Sequence, residues 1–149
     1  MAEIILKIRE KIGIMVEAEA IKPESFAGKS KEEIEALLVW QGPEKLPLCS
    51  FFDVEASSPS ASPEETRIIL QGDLSRVKRI GEGMKAGSIE IDGPAGMHLG
   101  AEMAGGSILV KGNAGSWSGR EMKGGLLHIK GNCGDHVGSA YRGSWRGMT

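Results

Sequence analysis

The chain has 149 residues, a formal net charge of −2 and 22 glycines, about twice the usual glycine share of ~7%. Only six prolines, with glycine absent from a three-residue period, exclude collagen, and a hydrophobic content of 40% excludes a low-complexity linker. No apolar run approaches the ~18–20 residues of a membrane span, Met1-Ala2-Glu3 lacks the order of a signal peptide, and no basic block invites nucleic acid. A cytoplasmic protein with neither membrane nor nucleic-acid partner is expected.

Glycine and charge divide the chain. Gly13, Gly28 and Gly42 are the only glycines before residue 67, and the other 19 lie in 67–149. Residues 1–66 hold 7 Lys+Arg against 13 Asp+Glu, and residues 67–149 hold 11 against 7. Between them, Ala56-Ser57-Ser58-Pro59-Ser60-Ala61-Ser62-Pro63 reads as an exposed loop. The expected organisation is a small acidic α+β lobe over 1–66 and a glycine-repeat unit over 67–149.

In chain order, Ile4–Ile8 and Ile12–Val16 read as short strands around Arg9-Glu10-Lys11, with Ile4, Leu6 and Ile8 on one face. Ser30 with Glu33 is a capping-box pattern and predicts a helix from Lys31 to Val39, with Ile34, Leu37 and Leu38 as its apolar stripe. Gly42-Pro43 would end it. Phe51-Phe52-Asp53-Val54 reads as the next strand.

The second unit repeats. Ile89-Glu90-Ile91-Asp92-Gly93, Ile108-Leu109-Val110-Lys111-Gly112 and Leu127-His128-Ile129-Lys130-Gly131 recur at an offset of 19 residues, and an earlier copy starts at Ile68-Ile69-Leu70-Gln71-Gly72. Ile68, Ile89, Ile108 and Leu127 then form one interior column, and Leu70, Ile91, Val110 and Ile129 another. One short strand per fixed period predicts a mainly β fold, a right-handed parallel β-helix with ~19-residue coils and glycine at its corners.

Chemical features are weighed against this repeat. Cys133 and His136 are metal-ligand types, but Cys133 shares a small column with Ala95 and Ala114. Met84, Met103, Met122 and Tyr141 read as core or corner filling. Gly81-Glu82-Gly83 lacks the helix of a dinucleotide fingerprint. Cys49 and Cys133 make no disulfide framework. No catalytic, cofactor-binding or metal-binding residues are assigned. Arg79, His98, Trp117 and His136 form an outward column: either a solvated face or a stripe that docks a partner, since Trp and Arg favour interfaces.

Two segments carry a resemblance: Gly72-Asp73-Leu74-Ser75-Arg76-Val77-Lys78-Arg79-Ile80-Gly81-Glu82-Gly83-Met84 and Gly96-Met97-His98-Leu99-Gly100-Ala101-Glu102-Met103-Ala104-Gly105-Gly106. With Gly138-Ser139-Ala140-Tyr141-Arg142-Gly143, Phe26-Ala27-Gly28-Lys29-Ser30 and Phe51–Val54, they resemble the C subunit of formylmethanofuran dehydrogenase. The glycine repeat is also similar to the C-terminal β-helix domain of the glutamate synthase large subunit, which bears on fold alone. The closer resemblance implies a structural subunit of the complex that reduces CO2 and fixes it as formylmethanofuran in methanogenesis or the reverse oxidation. It places the tungsten or molybdenum pterin, the iron-sulfur clusters and a binuclear metal site on partner subunits, one pterin-binding and one amidohydrolase-like. Two alternatives are the C subunit of the methylotroph formyltransferase/hydrolase complex and a stand-alone binding module. The family pattern continues past Gly147-Met148 with more repeats, whereas this chain stops at Thr149. The expectation is either a C-terminally shortened chain or a C-terminal coil covered by a partner, with self-association through the open coil as a further route.

Overall fold

A computed structural model of the chain describes residues 2–9, 15–56 and 62–132. Among the described residues, ten strands form two mixed sheets. The larger runs β10-β9-β8-β6-β1-β5, with β1 Ala2–Ile8, β5 Phe52–Ala56, β6 Thr66–Gln71, β8 Ser88–Asp92, β9 Ser107–Val110 and β10 Leu126–Ile129. The smaller runs β4-β3-β2-β7, with β2 Val16–Glu17, β3 Leu38–Gln41, β4 Glu44–Pro47 and β7 Val77–Lys78.

The 19-residue offset reappears as strand register. Ile89 pairs with Ile108, and Leu127 with Ile108, all parallel. Ile68, Ile89 and Ile108 are buried together with Leu70, Ile91 and Val110, because alternate residues of a strand face the core. Met84, Met103 and Met122 are fully buried. Stacked turns come close: at Gly93, φ is +153 and an added Cβ would run into the carbonyl oxygen of Gly72.

The expected right-handed parallel β-helix is corrected. The described strands make two mixed sheets and no closed solenoid. Each repeat supplies one strand of four to six residues to the large sheet. Most of its remainder is turn, held between neighbouring repeats by backbone hydrogen bonds and the isolated Leu74–Ala95 bridge. The antiparallel β1–β5, β2–β3 and β3–β4 pairs come from the first 56 residues.

That N-terminal stretch joins the repeat. β1 pairs parallel with β6, setting Ile4 beside Ile68 and Leu6 beside Leu70, and β2 pairs parallel with β7. β1 and β2 therefore lie in different sheets; residues 10–14, and with them most of the strand expected over Ile12–Val16, are outside the described residues. Helix α1 (Pro23–Phe26) buries Pro23 and Phe26, and Glu24 Oε2 accepts the N–H groups of Lys85 and Ala86 at 2.8 and 2.9 Å. Helix α2 (Lys31–Glu35) has the predicted Ser30–Glu33 capping box but stops early. Leu38–Gln41 turns strand instead, because Gly42 (φ +60) and Pro43 form a hairpin turn to β4.

Candidate partner-docking surface

Arg79, His98 and Trp117 occupy equivalent corners of successive repeats. The Arg79 N–H donates to the Met97 carbonyl and the His98 N–H to the Ser116 carbonyl, both at 3.0 Å. Each then opens a tight turn, with the N–H groups of Glu82, Ala101 and Arg120 donating back to the three carbonyls. Their φ angles are 66, 56 and 66. An L-residue in this left-handed region bears about 1–2 kcal/mol of strain, and bulky residues such as Trp are the least common there. Glycine would relieve it and does hold the nearby corners Gly81, Gly100 and Gly119. Side chains at the three strained corners are therefore retained against the local backbone preference.

The column is coupled by chemistry. The His98 and Trp117 rings are parallel within 7° with centroids 6.4 Å apart, and the Arg120 guanidinium lies 4.3 Å over the Trp117 ring. Arg79 Nη1 meets Glu82 Oε1 at 3.0 Å, while Arg79 Nε and Lys78 Nζ lie 3.7 and 3.9 Å from Glu17 Oε1. Burial lowers the His98 pKa below its usual 6.5, and Arg79, Arg120 and Lys78 push it the same way against Glu17. Burial raises the Glu82 pKa above 4.5; Arg79 opposes this, while Glu19 and Glu102 add to it.

Arg79, His98 and Trp117 are thus brought together. His136, the fourth residue of the expected stripe, lies outside the described residues, as do Cys133 and Tyr141. The sequence reading missed Glu17, Trp40, Lys45 and Arg120. Glu17 reaches the corner because β2 pairs with β7, and Glu17 pairs with Trp40 on β3. Lys45, opposite Trp40 on β4, sits 4.8 Å over the Trp40 ring. Alternation along Leu38-Val39-Trp40, with only Val39 buried, was the available signal. Met15, Glu17, Gly42 and Lys78 line a shallow groove of about 290 Å³ on this face.

No family model matches the chain. Over all 149 residues it is 52% identical to the C subunit of the tungsten-containing formylmethanofuran dehydrogenase 2 of Methanococcus maripaludis, covering 53% of that protein. It is 60% identical over 99 residues, 66% of this chain and 33% of the relative, to the C subunit of the molybdenum-containing formylmethanofuran dehydrogenase 1 of Methanosarcina barkeri. The chain is homologous to the C subunit of formylmethanofuran dehydrogenase. It spans about a third to a half of the length of these relatives. A chain in the crystal structure of the formyltransferase/hydrolase complex FhcABCD from Methylorubrum extorquens, solved with methylofuran, superimposes with a TM-score of 0.83. That match has 29% identity and covers 97% of this chain and 52% of the other.

Proposed function

We propose that the chain serves as a structural, non-catalytic C subunit in a cytoplasmic formylmethanofuran dehydrogenase, the complex that reduces CO2 and fixes it as formylmethanofuran. The observation that carries this reading is the alignment of all 149 residues, at 52% identity, with a tungsten-type C subunit. In this reading the pterin metal, iron-sulfur clusters and binuclear metal site sit on partner subunits, and the column Arg79, His98 and Trp117 docks one of them. The strained backbone at those corners supports that role.

A second reading, the C subunit of a formyltransferase/hydrolase complex, is favoured by the 0.83 TM-score to the FhcABCD chain. Purification from the native source under gentle conditions, with mass spectrometry and metal analysis, separates the two. Co-elution with a pterin-binding subunit and stoichiometric tungsten or molybdenum supports the dehydrogenase. A formyltransferase partner without pterin metal supports the second reading. Recovery of the chain alone overturns both.

A further inference from the structure

The turn of the first repeat has no repeat before it, yet its backbone donors find the partners that later turns have. In those turns the Gly100 and Gly119 N–H groups donate to the Ile80 and Leu99 carbonyls at 2.8 and 2.7 Å. In the first turn the Gly81 N–H donates to the Ile21 carbonyl at 2.9 Å, and Ile21 is buried like Ile80 and Leu99. Upstream, the Ala18 N–H donates to the Lys78 carbonyl, as Arg79 does to Met97 and His98 to Ser116. Val16–Ile21 thus holds the place of a preceding turn. Glu19 and Ala20 separate Ala18 from Ile21, whereas Arg79 and Ile80 are adjacent, and no glycine stands between Val16 and Glu24. The likeness is therefore one of backbone bonding alone.

Glu24 completes it with a side chain. The Met84 carbonyl accepts two successive N–H groups, Ala104 at 2.8 Å and Gly105 at 3.2 Å, and the Met103 carbonyl accepts Lys123 and Gly124 at the same distances. The equivalent pair in the first turn is Lys85 and Ala86, and both donate to Glu24 Oε2. Glu24 Oε1 is buried with no hydrogen-bond partner among the described residues, so the turn uses one acceptor oxygen, as it uses one carbonyl elsewhere. Pro63 makes a similar replacement. A Cβ at Gly106 or Gly125 would meet the carbonyl oxygen of the glycine one repeat earlier, and a Cβ at Gly87 would meet that of Pro63.

We infer that Val16–Glu24 is a strap that takes the place of a preceding repeat turn, with the Glu24 carboxylate as its latch in the role of a repeat's methionine carbonyl. The strap seats and lifts as one unit. Lifting it breaks the bonds donated by Val16, Ala18, Gly81, Lys85 and Ala86 together. It also takes Glu17 away from Lys78 and Arg79, so the first corner of the column depends on the seated strap. The inference concerns the free chain and stands apart from the subunit reading.

Native-state amide exchange of the full chain, followed by NMR in low denaturant, tests the strap without mutation. The five amides are expected to share one opening equilibrium, and Gly100, Ala104 and Gly105, which make the same bonds one repeat later, to be protected about tenfold more or better. Five unrelated openings, or equal protection one repeat later, overturn the strap. Glu24→Ala is expected to lower the protection of all five by about tenfold or more, and Glu24→Gln by less than about threefold, because the amide oxygen is a neutral acceptor like the Met84 carbonyl. Loss confined to Lys85 and Ala86 makes Glu24 a local hydrogen bond and overturns the strap. A Glu24→Gln loss as large as that of Glu24→Ala assigns the latch to charge and overturns the carbonyl role. Should Glu24→Ala not fold, the parent chain and Glu24→Gln decide by the same limits.

Discussion

Glu17 Oε1 sits 3.7 Å from Arg79 Nε, so one carboxylate on a two-residue strand holds the first residue of the corner column. It is also the group that supports the protonated form of His98 against burial and three cations. Glu17→Gln should therefore lower the His98 pKa further, as read by NMR titration of its ring protons. An unchanged titration would show that Glu17 does not act on His98. The loss of stability should stay within about 1 kcal/mol, because the pair is partly exposed.

His98 and Glu82 give the fold opposite responses to acid. The His98 pKa lies below 6.5 in the folded chain, so its contribution is complete above 6.5 and is lost as pH falls through that value toward the folded one. The Glu82 pKa lies above 4.5, so the folded state takes up that proton more readily and gains stability as pH falls through its folded value toward 4.5. Denaturation midpoints should fall between pH 7 and 6 less steeply in His98→Asn than in the parent. Equal slopes would remove His98 from the account.

Backbone strain at the corners predicts a contrast. Glu102 is exposed at φ 57, in the position that Gly83 holds one repeat earlier. Glu102→Gly should leave stability unchanged or raise it by up to about 1 kcal/mol, the relief of left-handed strain being set against added freedom in the unfolded chain. Gly93→Ala should lower stability by more than about 2 kcal/mol, because its Cβ would strike the Gly72 backbone. Urea denaturation of both variants checks the pair, and a destabilised Glu102→Gly would contradict the strain argument.

Glu24 latches the N-terminal stretch to a repeat turn through two backbone N–H groups. Glu24→Ala should cost about 1–3 kcal/mol, because both donors lose a charged acceptor. Hydrogen exchange at Lys85 and Ala86 should rise more than at Ile108. A uniform rise would mean global rather than local loosening.

The repeat columns were legible because Ile89, Ile108 and Leu127 recur every 19 residues, with Ile68 two residues further off and a glycine four residues after each, and the large sheet keeps that register. The N-terminal pairing was not legible. Ile4-Ile5-Leu6 lies beside the identical Ile68-Ile69-Leu70, but Ile8 stands where the repeat has Gly72, and β2, which sets Val16 beside Val77, has only two residues, so neither carries the spaced glycine that marks a repeat. Leu37 and Leu38 fit a helical stripe, but Val39 and Trp40 favour a strand once Gly42 supplies the turn. Of the docking column, Arg79, His98 and Trp117 could be aligned by spacing alone. Trp40 and Lys45 reach the same face through antiparallel pairing, which spacing does not encode.

The placement of β1 between β5 and β6 has a consequence for synthesis. During synthesis β1 gains its antiparallel neighbour only after residue 56 and its parallel neighbour only after residue 71. Such distant contacts close slowly, because a long loop must be ordered before they form. Ile4 and Leu6 therefore have their full set of sheet neighbours only once the first repeat strand has been made.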